Sequence, residues 1–182
     1  MAVRPILRFP NPRLRQVSQP VTAFDATLRE LVSAMKDTMY LAEGAGLAAI
    51  QIGEPLRLFI IDPEVAGHDV DDPPLVLANP ELVSISKEEQ AGDEGCLSFP
   101  GIFVPVMRGQ RARVRAQDVD GKSFEVEGEG LFARALQHEN DHLTGRLLID
   151  MVGPVKRQII KRKMRKENER EENERDDEAE AT

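Results

Sequence analysis

Apolar side chains recur along this chain with two different periods. Between residues 27 and 42, Leu28, Leu31, Val32, Met35, Met39 and Ala42 fall at helical spacing. That pattern lays one apolar stripe along an amphipathic helix. Thr27-x-x-Glu30 reads as a capping box at its start. The stripe stops at Gly44, in the run GAGLAAIQIG. The period then shortens. LRLFIID (56–62) is a β-like run closed by Pro63, and PLVLANP (74–80) is another, ending in a turn. GHDVDDPP (67–74) is a loop between them, and ELVSIS (81–86) alternates like a strand. RARVRAQDVDGKSFEVEGEG (111–130) predicts two strands joined at Asp120-Gly121, a favoured hairpin dipeptide. Arg111, Arg113 and Arg115 would share one face, with Ala112, Val114 and Ala116 on the other.

Helical spacing returns at LFARALQHENDHL (131–143), with Gly145 as its stop. A last helix is expected from Pro154, a residue suited to a first helical position. Residues 1–24 are punctuated by prolines and are expected to wrap over the surface. Short strands with helices on either side of them in sequence predict an α+β fold with antiparallel pairing. Small antiparallel sheets would pack around the central helix 131–143, followed by a C-terminal helix.

Composition adds limits. The chain has 182 residues, 41% hydrophobic and 31% charged, with no Trp. That is enough for one core, and it contains no apolar run long enough to span a membrane. The first residues carry four arginines but no apolar h-region, and prolines 5, 10 and 12 would break an amphipathic targeting helix. A cytoplasmic protein is expected. The net charge of −8 hides an asymmetry. Residues 156–166 hold seven basic side chains and no acid; residues 167–182 hold nine acids against Arg170 and Arg175. The acidic segment has no hydrophobic residue larger than Ala, so residues 1–166 are read as the domain and 167–182 as a disordered or frayed tail. Three readings stand for the basic helix: a solvated surface, a docking face for the ribosome, or a partner onto which the acidic tail folds back.

The chemistry concentrates on the second helix. His138-Glu139-Asn140-Asp141-His142 is H-E-x-x-H. Histidines at i and i+4 stand one turn apart on one face and can converge on a metal ion. Glu139 is offset from them and can take a proton from water activated by that ion. His68, the third histidine, sits in the acidic loop and reads as solvated. A catalytic site of this type needs a third protein ligand and one open position. Downstream of His142 the acids lie in the charged tail, apart from Asp150. Upstream lies the single cysteine, Cys96, either a buried small hydrophobe or a thiolate ligand. A His2Cys set would admit softer ions, ferrous iron among them.

Three segments together, GAGLAAIQ (44–51), EGCLS (94–98) and QHENDH (137–142), resemble the signature motifs of the peptide deformylase family, in order and at similar spacing over roughly residues 3–165. The resemblance implies a metal-dependent amide hydrolase that acts on N-formylmethionyl nascent peptides and releases formate. It implies Cys96, His138 and His142 as ligands of one divalent ion, Fe2+ by family precedent, with Zn2+, Ni2+ or Co2+ able to substitute. Glu139 would be the general base and then the acid. The Gln51 side-chain amide and the Leu97 N–H would stabilise the oxyanion. Ala45, Gly46 and Gly95 would offer main-chain hydrogen bonds to substrate, and Leu131 and Ala135, with Leu97, would line the methionine pocket. Arg134 would also line it, its apolar stem inside and its head reaching water. Phe103 stands where some members carry an arginine that meets the peptide backbone. Arg108 is expected to pair with Glu94 or Asp141. Deleting the residues after Glu167 is expected to leave activity on a short formyl-peptide intact. The competing readings are an H-E-x-x-H metallo-endopeptidase, whose third ligand would lie downstream, and a nucleic-acid-binding module with a structural metal. No membrane and no DNA partner is expected.

Overall fold

Alternation in the β-like runs fixes the central layer of the molecule. In the computed structural model, which describes residues 2–181, Leu58 and Ile60 point to one face of a sheet and Phe59 and Ile61 to the other. Met1 and Thr182, the outer ends of the two expected segments, lie outside the described residues. The sheet is antiparallel and five-stranded, in the order β1 (Gly46–Ala48), β2 (Leu58–Ile61), β3 (Leu75–Ile85), β6 (Arg111–Gln117) and β7 (Ser123–Glu129). A separate two-stranded sheet pairs β4 (Glu89–Cys96) with β5 (Phe99–Gly109). Helix α1 (Ala26–Leu41) covers the Leu58/Ile60 face. Helix α2 (Leu131–His142) covers the Phe59/Ile61 face and also meets β5. A third apolar cluster joins β5, the 3-10 turn around Leu14 and helix α3 (Pro154–Glu180) through Phe99, Val104, Val106, Ile160 and Met164. The α+β class and the central position of the H-E-x-x-H helix are therefore as expected.

Local departures have identifiable causes. Asp25, not Thr27, caps α1: its side chain accepts from the Leu28 N–H at 3.1 Å. The left-handed residue after α1 is Glu43 (φ 54°) rather than Gly44. The turn expected at Asn79-Pro80 is an irregularity within one long strand, β3. There Asn79 adopts φ 48° and its side-chain amide bonds both backbone groups of Val21, at 2.7 and 2.9 Å. The β4–β5 hairpin is not visible in the apolar pattern. The hairpin at Asp120-Gly121 forms as expected, with Gly121 at φ 81° and the three arginines of β6 on its exposed face.

The acidic segment is corrected too. Rather than fraying or folding back, it continues α3 to Glu180. Its glutamates and arginines are strong helix formers, and Arg170 pairs with Glu167 and Glu174 at helical spacing. Its first turns dock: Asn168 Nδ2 donates to the Phe9 carbonyl at 3.0 Å, and Glu171 pairs with Arg8 at 2.5 Å.

Candidate metal centre

Helix α2 presents His138 and His142 one turn apart, both buried, and β4 ends on Cys96. Their ligand atoms lie within 4.8 Å of one another, the one such group of three among the described residues. Cys96 Sγ is 3.5 Å from His142 Nε2. One ion at bond lengths of about 2.0–2.3 Å fits between such donors. The structure thus groups the upstream cysteine, and no downstream acid, with the two histidines.

The surroundings suit a cation. Glu94, two residues before Cys96, sits 2.5 Å from His138 Nδ1, so the other ring nitrogen faces the cluster. Burial opposes the protonation of His138, yet its bonds to Cys96 and Glu94 raise its pKa well above the usual value. Burial and the neighbouring His138 drive His142 the other way, to a neutral ring whose Nδ1 has no hydrogen-bond partner.

Glu139 stands beside the ligands, buried, with Oε2 lacking any partner. Burial pushes its pKa up to about 7; Glu94 and Asp141 add to the rise and His138 opposes it. Such a carboxyl can both accept and return a proton near neutrality. Gly46 on β1 makes room for it: a Cβ there would lie 2.6 Å from Glu139 Oε1.

Gln51 lies in the 3-10 turn after β1 with its amide orientation fixed. Its Oε1 accepts from the Ala48 N–H at 2.9 Å, and its Nε2 points to Ser98 Oγ (3.1 Å) and Cys96 Sγ (3.5 Å). Leu97 occupies the turn between β4 and β5. Ala45, Gly46, Gly95, Leu97, Leu131 and Ala135 line one pocket of about 490 Å³ with Cys96, His138 and Glu139. Leu131 is 63% exposed and forms its rim rather than its wall. Phe103, 70% exposed, lies across Gly95 at the mouth. Two edges flank the pocket: β1 ends its sheet, and β4 is paired only with β5.

Arg134 lines this pocket as expected, but its head does not reach water. Its head is buried and donates to Glu94 Oε2 and to the Val106 carbonyl, both at 2.9 Å. Arg108 meets both expected partners, Glu94 through Nε (3.0 Å) and Nη2 (2.6 Å) and Asp141 through Nη1 (2.8 Å). The buried cluster thus balances two guanidinium groups against two carboxylates. Ser98 and the orienting role of Glu94 escape sequence reasoning. Their only signal is their position on either side of Cys96.

A buried carboxylate beside a His2Cys cluster, at the end of a pocket flanked by two strand edges, defines a metal-dependent hydrolase. Comparison with known proteins narrows the class. The family model for polypeptide deformylase matches residues 3–158, so the chain belongs to the polypeptide deformylase family. The peptide deformylase of Bartonella tribocorum is 48% identical over 160 residues, covering 88% of this chain and 90% of that protein. The crystal structure of a peptide deformylase from Legionella pneumophila superposes with a TM-score of 0.87 at 46% identity, over 93% of this chain and 98% of that one. The Ehrlichia chaffeensis peptide deformylase in complex with actinonin gives 0.85 at 36% identity, over 92% and 98%. The endopeptidase reading is set aside. No helix among the described residues is long and apolar enough to cross a membrane.

Proposed function

We infer that this protein hydrolyses the formyl group from the N-terminal formylmethionine of nascent polypeptides, releasing formate. The observation that carries this reading is the Glu139 carboxyl, buried beside the Cys96, His138 and His142 cluster and lining an apolar pocket with Cys96 and His138. A divalent ion held by those three side chains would polarise a water molecule and the formyl carbonyl. Glu139 then takes the proton from the attacking water and returns it to the departing amine. Gln51 Nε2 and the Leu97 N–H donate to the oxygen on which charge develops. The substrate backbone adds as an extended segment to the strand edges at Ala45–Gly46 and Gly95. Ala135 and Leu97, with Leu131 at the rim, receive the methionine side chain.

Ferrous iron is the proposed native ion, since a thiolate with two imidazoles accepts it; Zn2+, Ni2+ and Co2+ are the expected substitutes. The proposed location is the cytoplasm, where nascent chains emerge. The basic residues 156–166, exposed on α3 except for half-buried Arg157, would meet ribosomal phosphate, and that contact should weaken steeply with salt.

Formate release from a formyl-Met peptide tests the reading. Glu139→Gln should lower kcat by about 10²- to 10⁴-fold while bound metal stays at the wild-type level. Equal rates in the two proteins would refute the assignment of Glu139.

A further inference from the structure

The loops that carry the two proposed oxyanion donors are tied to one another by the N-terminal segment. The Leu7 N–H donates to the Gln51 carbonyl at 2.7 Å, and the Phe9 N–H to the Ser98 carbonyl at 3.0 Å. The Phe9 ring stacks on Phe99, centroids 5.1 Å apart. Residues 7–9 therefore bridge the turn that holds Gln51 and the turn that holds Leu97.

This bridge is itself held from outside. Asn168 Nδ2 donates to the Phe9 carbonyl at 3.0 Å, and Glu171 pairs with Arg8 at 2.5 Å with both side chains about two-thirds withdrawn from water. Both clamp residues lie on α3 beyond Met164, the last buried apolar side chain of that helix. They also lie beyond residue 158, where the match to the family ends. Past Met164 the helix contributes nothing to an apolar core, so these contacts and its internal ion pairs hold it in place.

We propose that Asn168 and Glu171 are positioning residues for the reaction: α3 clamps residues 7–9, and residues 7–9 set the relative placement of Gln51 and the Leu97 N–H. The inference rests on the functional reading above. It also replaces the expectation that everything after Glu167 is dispensable. Loss of one oxyanion donor lowers kcat by about 10²- to 10³-fold, so loosening both donors by a fraction of an ångström should cost about fivefold to tenfold. The effect should fall on kcat rather than KM, because donors aimed at the developing charge matter little to ground-state binding.

The test uses the full metal-loaded chain with Asn168→Ala, Glu171→Arg, Arg8→Glu and the double swap Arg8→Glu/Glu171→Arg. Three quantities are read: kcat and KM for formate release, bound metal, and amide hydrogen exchange over residues 50–52 and 96–99. The expected result is a kcat lowered about fivefold or more in each single variant, with KM and metal within about twofold of wild type. Exchange should rise in those two segments and not in β2 or β6, and the swap should restore both kcat and exchange. Wild-type kcat and exchange in the single variants would overturn the proposal. A loss of activity accompanied by faster exchange throughout the core, with no recovery in the swap, would overturn it too. A wild-type protein that releases no formate would instead refute the functional reading, while the exchange measurements still decide whether the clamp exists.

Discussion

Gly46 and Glu139 occupy space that neither could share with a larger neighbour. A methyl group on Gly46 would meet Oε1, Cδ and Cγ of Glu139 at 2.6–3.1 Å, so the carboxyl would have to swing into the pocket it lines. Gly46→Ala should therefore move the general base and lower kcat about tenfold or more, since displacements of an ångström cost about 10²-fold. Bound metal should remain at the wild-type level. An unchanged kcat would show that the close packing is incidental. Gly44 differs, because its added methyl would meet the flexible end of the Leu97 side chain. In the sequence the Gly-x-Gly run marks where the helical stripe stops and, by resemblance, offers main-chain hydrogen bonds to substrate. The structure assigns the positive φ to Glu43 and the close approach to Gly46. Glu94 carries a second consequence. Burial pushes its carboxyl up, but hydrogen bonds and charge from His138 and Arg108 outweigh that and hold it well below its ordinary 4.5. A carboxyl depressed by folding stabilises the fold above about pH 4.5, and that contribution drains away as the pH falls further. The urea midpoint should drop between about pH 5 and pH 3, with a shallower slope in Glu94→Gln. Parallel slopes would remove Glu94 from the account.

The elements divide by how they are stabilised. β2, β6, α1 and α2 bury apolar faces, and their periods can be read directly: Leu58/Ile60 against Phe59/Ile61, and Ala112, Val114, Ala116 against three arginines. The β4–β5 hairpin cannot be read this way. EQAGDEGC has almost no apolar side chain, and its glycines and acids are poor strand formers. Its partner β5 buries Phe99, Ile102, Val104 and Val106 in the third apolar cluster, and Glu94 on β4 and Arg108 on β5 tie the hairpin to Arg134 and Asp141 on α2 through one ionic cluster. Sequence offers Arg108 a choice of partners; only the fold shows that it needs both. Arg108→Ala should destabilise the protein by about 3–5 kcal/mol, because it leaves buried carboxylate charge without its main partner. Glu94 retains Arg134, so the low end of that range is expected. Urea denaturation measures it, and a loss under about 1 kcal/mol would mean that Arg134 suffices. The acidic half of α3 is the opposite case. Its composition argues against burial and is right on that point, yet polar docking and helical ion pairs still order it.

Cys96 is the chain's single cysteine, so no disulfide cross-links the β4–β5 hairpin to α2, and the proposed ion would supply such a link. Cys96 comes from the hairpin, while His138 and His142 come from the helix packed on the five-stranded sheet. An ion bound to all three would link the two sheets in the folded state and lose that geometry on unfolding. It should therefore stabilise by mass action, by about 4 kcal/mol at a thousandfold excess over its dissociation constant. For a chain of 182 residues that converts to a melting temperature higher by about 8–16 °C. Stripping the metal with a chelator should lower the melting temperature by that amount. Ferrous iron under anaerobic conditions, or zinc, should restore it. Cys96→Ala should melt near the stripped value and gain little from added metal, because the hairpin then contributes no ligand. If the stripped wild-type protein melts where the loaded one does, the ion does not link the sheets. If Cys96→Ala recovers as fully as wild type, the third ligand lies elsewhere.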